Sequence, residues 1–460
     1  MSQISPDDGL VPATQLTAQV TEGRFKRVLG IPSLVLFGLV YMVPLTVFTT
    51  YGIVTQLTGG RLVDAYLITL VVMLFTARSY ARMSTAMPYS GSAYVYTQQS
   101  FGGAIGFIVG WALLLDYLFL PMINYLVLAL YMNQALPAIP NWVWVVLAIA
   151  VVTVLNVIGI TQVARANFVI IAVQTIFIAL FIVFSIVTMS GHHIDILAPI
   201  TGDGTAASHD NGALFNGAAI LALSFLGFDA VSTLSEEAKD AKRDVPRAIM
   251  IVTLGAGILF IVLSYVSQLL FPGSHFKDVN TASTEVIAVA GQWLAVLFTA
   301  GYVAGCLGSA LTSQASVSRI LFAMGRDGVL PRRVFGHLNV RFGTPVVPIL
   351  IVSAISLIAI WIDLATLTNM ISFGALIAFS FVNLSVVVHF YLRGKERGGW
   401  GWLNNLVLPI VGFGLTVWLW TSLAPITFAI GGSWLVVGFV ILLIVTRFFS
   451  RPTPMLDLKE

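Results

Sequence analysis

Charge is scarce in this chain: only 9% of its 460 residues are Asp, Glu, Lys or Arg, against 58% hydrophobic. A soluble domain carries roughly 25% charged residues, so an ordinary water-soluble fold is excluded. Cysteine is scarcer still. The single thiol, Cys306 in GYVAGCLGSAL, rules out an intrachain disulfide and reads as a small packing residue. The six histidines are scattered without ligand spacing, so no metal site is expected. No GxxxxGK[ST] loop occurs, which argues against an ATP-driven pump within the chain. The formal net charge of +3 gives no reason to expect nucleic acid as a partner.

Long apolar runs fill the space that charge leaves. A hydrocarbon core of roughly 30 Å needs about 20 apolar residues per helix, and such segments recur at 31–56, 63–83, 103–134, 141–160, 166–190, 213–235, 246–271, 286–324, 346–362, 366–391, 403–423 and 427–447. The expectation is an all-α integral membrane protein with twelve transmembrane helices. Residues 1–27 and 451–460 read as polar cytoplasmic tails, with the first span as an uncleaved signal anchor. With the chain started inside, alternation puts every one of the 23 basic residues except Arg61 and Lys277 on the cytoplasmic side. Both termini are therefore expected in the cytoplasm.

Ionisable groups at bilayer depth cost about 2.5 to 3.5 kcal/mol each even on translocon scales, so those present call for a reason. Asp116 lies mid-span in GWALLLDYLFLPMINYLVL, and Asp229 mid-span in LALSFLGFDAVSTLSEE, which ends in Glu236 and Glu237. No Lys or Arg lies deep enough in the sequence to pair with Asp116 or Asp229. Each acid has a plain reading, a helix cap for Asp229 and a loop border for Glu236 and Glu237, and a functional one, a cation site. The third span also places Tyr117, Pro121 and Asn124 on one helical face beside Asp116.

Two spans are interrupted alike. The first, GLVYMVPLTVFTTYGIV, has Pro44 mid-span followed by Thr46, Thr49 and Thr50; the sixth has Gly227 and Asp229 followed by Ser232, Thr233 and Ser235. Proline removes an amide donor and glycine loosens the helix, which frees backbone groups at depth. Matching breaks displaced by an odd number of spans are what an inverted-repeat transporter predicts, with substrate between the breaks. Spans 1 to 5 (28–190) and 6 to 10 (213–392) then form a ten-helix core, 28–392, and 393–450 holds helices 11 and 12.

YMVPLTVFTTYGIV, PYSGSAYVYTQQS, GFIVGWALLLDYLFLPMIN, SFLGFDAVSTLSEE, ASVSRILFAMGRDGVLPRRVFGHL and ISFGALIAFSFVNLSVVVHF occur here in that order. On these pieces the chain resembles the amino acid, polyamine and organocation permease superfamily, and within it the bacterial putrescine importers. The resemblance implies a LeuT-like fold with discontinuous helices 1 and 6, and import across the bacterial cytoplasmic (inner) membrane driven by a proton gradient, with no cofactor and no enzymatic activity. It also implies that Tyr117 and Glu237 contact substrate. At one position the chain departs: the importers carry an aspartate where this sequence has Thr49.

The expected substrate site then comprises Asp229 or Glu237 for the ammonium, Asp116 as a further candidate acid, Tyr117 for the flank, and the freed backbone around Met42, Pro44, Thr46 and Gly227. Tyr41 and Phe225 are the candidate lids. Asp116 and Glu237 are the candidates for carrying the coupled proton. The expected substrate is a putrescine-like diamine taken up by proton symport; an amino acid permease or exchanger is the alternative.

Overall fold

The computed structural model describes residues 27–89, 91–159, 163–190, 194–326, 330–339 and 342–450, the side chains of 163–167, 323 and 326 excepted. The expected polar tails fall outside these residues apart from Arg27. The described chain is helical, and its one β-type pairing is an isolated parallel bridge between Leu29 and Ala238. An apolar chain in lipid has no water to satisfy its amides, so helices that satisfy them internally are the available solution.

The elements in order are α1 (Ile31–Met42), a 3-10 segment (Pro44–Phe48), α2 (Tyr51–Leu57), α3 (Leu62–Ala86), α4 (Ser92–Phe101), α5 (Gly103–Ala135), α6 (Asn141–Ile158) and α7 (Val163–Met189). They continue as α8 (Asn211–Leu221), 3-10 segments Ala222–Phe225 and Ala230–Glu237, α9 (Ala241–Leu270), α10 (Ala282–Ala290), α11 (Gln292–Arg326), α12 (Val346–Ser356), α13 (Leu364–Val386), α14 (Leu408–Thr421) and α15 (Pro425–Val445). Among the described residues, 11 helical segments are long and apolar enough to cross a membrane, and Val346–Ile360 is a shorter apolar helix.

Two boundaries differ from expectation. The run expected at 286–324 is divided at Gly291 into α10 and α11. PYSGSAYVYTQQS contributes a helix of its own, α4, between the second and third spans.

The site is set by what lies at the centre. In Asn211–Glu237, 89% of the most apolar stretch is buried, and in Gly103–Ala135 72%, whereas Pro425–Val445 has only 17% buried. The sixth span, Leu364–Arg393 at 78% and α5 are therefore the most enclosed segments of the bundle, and α15 is the least enclosed. α5 packs against α11 and α13, and α9 against α1 and α3. α15 is fastened to α5 by a reciprocal pair: Trp111 Nε1 donates to the Trp434 carbonyl at 2.8 Å, Trp434 Nε1 to the Trp111 carbonyl at 2.8 Å, and the rings stack 4.8 Å apart.

Both expected interruptions are real breaks. α1 stops at Met42, and Val43 takes φ 56°, a left-handed conformation that a β-branched residue rarely adopts. Pro44 then opens a 3-10 turn, since it cannot donate back to Val40. In the sixth span Leu226 is extended and Gly227 has φ 130°. Four of the hydroxyls after the breaks bond locally. Thr46 donates to the Met42 carbonyl, and Ser232, Thr233 and Ser235 each donate to the carbonyl three residues earlier at 2.6 Å. This is how the irregular backbone is satisfied at depth.

Candidate functional site

The two breaks touch. A Cβ added at Gly227 would stand 2.7 Å from Met42 Cγ and 3.1 Å from both the Gly38 carbonyl and the Met42 amide, so only glycine fits there. Gly227 N donates to Asp229 Oδ1 at 3.1 Å, which folds the carboxylate back over the break. Tyr117 OH donates to Asp229 Oδ2 at 3.3 Å from the central helix α5. Asp229 is 1% exposed.

Asp116 is equally buried, and its Oδ1 has no hydrogen-bond partner. Asp116 and Asp229 lie within electrostatic range of one another and of Tyr41, Tyr80 and Tyr117. Among the described residues the ion pairs are Arg61 with Asp64, Arg82 with Glu396 and Arg319 with Glu237, so neither central acid has a cation. Two buried acids at this depth without a cation are costly to keep, which marks the centre as a candidate cation site.

Next to them is a cavity of about 30 Å3. Its polar lining comes from Tyr41, Thr46, Thr49, Asn124, Tyr302 and Ser309, and Met42, Val43, Leu223 and Leu226 bring the breaks themselves into its wall. Thr49 Oγ1 and Tyr302 OH share a hydrogen bond. Asn124 Nδ2 donates to Ser309 Oγ at 3.1 Å, and Ser309 donates to the freed Tyr41 carbonyl at 3.0 Å. The Tyr41 hydroxyl is buried without a partner. Ligand pockets generally measure about 300 to 1,000 Å3, so the cavity as it stands is too small to hold a bound ligand.

The expected residues are distributed as follows. Tyr41, Met42 and Thr46 line the cavity; Pro44 and Gly227 shape the breaks; Asp116, Tyr117 and Asp229 form the acidic cluster. The Phe225 ring packs edge-on against Phe260 with centroids 5.5 Å apart, while its neighbours Leu223 and Leu226 face the cavity. Glu237 is separate from this cluster. Its carboxylate lies 3.6 Å from Arg319 Nη1, and its carbonyl accepts from the Val28 and Leu29 amides at 2.9 and 3.0 Å.

Sequence reasoning passed over Tyr302, Cys306 and Ser309 as lining residues. They fall at i, i+4 and i+7 on α11, one face of a helix that otherwise shows small residues there, and that spacing is the signal for them. Tyr302 is fixed by stacking on Phe298 at 5.1 Å and by an edge contact with Tyr131 at 5.0 Å.

Known transporters share this sequence over most of its length. The low-affinity putrescine importer PlaP of Escherichia coli (strain K12) is 39% identical over 446 residues, covering 95% of this chain and 98% of the relative. The branched-chain amino acid permease BcaP of Bacillus subtilis (strain 168) is 26% identical, covering 95% and 96%. The mouse cationic amino acid transporter 4 is 29% identical, covering 80% of this chain and 60% of its own. The sequence pattern of the family described as amino acid permease matches residues 33–457. With its membrane-spanning helices and a match over nearly its whole length, the chain belongs to the amino acid permease family.

Proposed function

We propose that this permease imports a putrescine-like diamine across the bacterial cytoplasmic membrane by proton symport. The observation that carries the proposal is the buried pair Asp116 and Asp229, unmatched by any cation among the described residues and set beside two touching helix breaks. The similarity to PlaP supports the choice of substrate.

In this reading Asp229 receives the ammonium. Its carboxylate is pre-aimed by the Gly227 amide and the Tyr117 hydroxyl, so little reorganisation precedes binding. The Tyr117 and Tyr41 rings flank the cation, which adds about 0.5 to 2 kcal/mol. Asp116, with an oxygen lacking a partner, takes and releases the coupled proton during the cycle. Glu237, paired with Arg319, stands apart from substrate. The twelve spans, the short Val346–Ile360 helix among them, form a LeuT-like pair of inverted repeats over 28–392, with both termini cytoplasmic. Alternating access then rocks the broken helices against the rest of the core.

Proteoliposome uptake tests this directly. Labelled putrescine should accumulate under an inwardly directed proton gradient, and excess unlabelled diamine should abolish the signal. Uptake no greater than in protein-free vesicles, or uptake competed by neutral amino acids and untouched by diamines, would leave the amino acid permease reading in its place.

A further inference from the structure

The acidic cluster accounts for one end of an amine substrate, and the cavity beside it is built differently. Its polar lining is wholly neutral: the hydroxyls of Tyr41, Thr46, Thr49, Tyr302 and Ser309, and the amide of Asn124. Neither Asp116 nor Asp229 is among its lining residues. Tyr41 belongs to both regions, since it lines the cavity and lies within electrostatic range of both acids. The residue is 2% exposed and its hydroxyl has no partner, which marks a place prepared for a hydrogen-bonding group that arrives with the substrate.

We propose that this cavity is a neutral subsite that receives the distal end of the substrate through hydroxyl and amide groups, so that one positive charge on the amine is enough for recognition. The proposal deepens the function proposed above and rests on it. Thr49 and Tyr302 share one hydrogen bond, which leaves the pair one further O–H to donate and lone pairs to accept with. Such a pair suits a terminal hydroxyl or amide, which both donates and accepts. A terminal ammonium placed there can use the lone pairs, yet it surrenders its water without meeting an opposite charge. The substrate class is therefore short primary amines with a polar distal group, and a dication is accepted with reduced affinity. Thr49 and Tyr302 are the residues that set this preference.

The test is competition against labelled putrescine uptake in proteoliposomes, using unlabelled putrescine, 4-amino-1-butanol and n-butylamine. In the wild type the amino alcohol should compete at least as well as putrescine and better than butylamine. Thr49→Asp should invert the order and favour putrescine by tenfold or more. Thr49→Val, which adds no charge, should remove the advantage of the amino alcohol over butylamine and covers the case in which the aspartate variant fails to fold. A wild type that prefers putrescine to the amino alcohol by tenfold or more would overturn the subsite while leaving diamine import intact. If no amine competes and labelled putrescine does not accumulate, the transport reading falls first and the subsite with it.

Discussion

Replacing Gly227 by alanine examines whether contact between the two breaks matters. The residue sits at φ 130°, where a side chain is strained by about 1 to 3 kcal/mol. The added methyl would also lie 2.7 Å from Met42 Cγ and 3.1 Å from the Gly38 carbonyl and Met42 amide. The Met42 side chain can swing, but main-chain atoms of α1 cannot, and overpacking of this kind costs about 1 to 3 kcal/mol. The combined penalty on this conformation is about 2 to 6 kcal/mol, a factor of at least about 30 in its population. Transport should fall accordingly when measured in proteoliposomes at matched protein content. Gly255→Ala is the internal control, because nothing lies within 4 Å of the methyl it would add on α9. The same chemical change there should be neutral or stabilise by up to about 1 kcal/mol in a thermal melt. Uptake by Gly227→Ala within twofold of wild type, at unchanged affinity, would refute the idea that the breaks must touch.

Asp229→Asn keeps an oxygen for the Gly227 amide but removes the charge, so substrate affinity should fall at least about 30-fold with the melting temperature little changed; binding assays on purified protein decide this. Glu237→Gln should leave affinity within twofold, because its ion pair with a largely exposed Arg319 contributes less than about 1 kcal/mol and no substrate is placed there. Asp116→Asn should abolish stimulation of uptake by a proton gradient while substrate-for-substrate exchange continues, as counterflow measurements would reveal. In the loop before α8, burial raises the Asp203 pKa but hydrogen bonds from Ser274 and Thr205 outweigh it and hold the carboxyl below its usual value. A depressed folded pKa stabilises above the unfolded value and is lost as pH falls, so the protection of the Thr205 amide, its exchange rate relative to an unstructured chain at the same pH, should hold at neutral pH and decline only below about pH 4.

Pro44, Gly227 and the hydroxyls after them make the two breaks legible in the residues alone, because a breaker inside twenty apolar positions has few explanations. Asp116, Tyr117 and Asp229 are legible for the same reason, as polar groups in an expensive place. The strain at Val43 is not, since a valine before proline carries no mark of a left-handed conformation. Nor is the partner of Glu237. Its link to Arg319 depends on the packing of α11, and an acid at the mouth of a charged loop reads the same whether it faces substrate or a neighbouring arginine. Tyr302 shares a helical face with Cys306 and Ser309 in the residues alone, but that this face meets the breaks is defined only by tertiary contacts. Thr49, noticed in the sequence for what it is not, meets the Tyr302 hydroxyl, a partner that only the packing of α11 reveals.

The bridge between Leu29 and Ala238 has a mechanical meaning. The Val28 and Leu29 amides bond the Glu237 carbonyl, and the Lys239 amide bonds the Leu29 carbonyl at 2.8 Å. The start of the first span and the end of the sixth are thus sewn together by main-chain seams, which only a proline among the donors Val28, Leu29 and Lys239 would unpick. Pulling on one segment drags the other, as two leaves of a door share one hinge pin. A passage opening at this end of the molecule would then lie between that joined pair and the helices around it, with the seam itself kept shut.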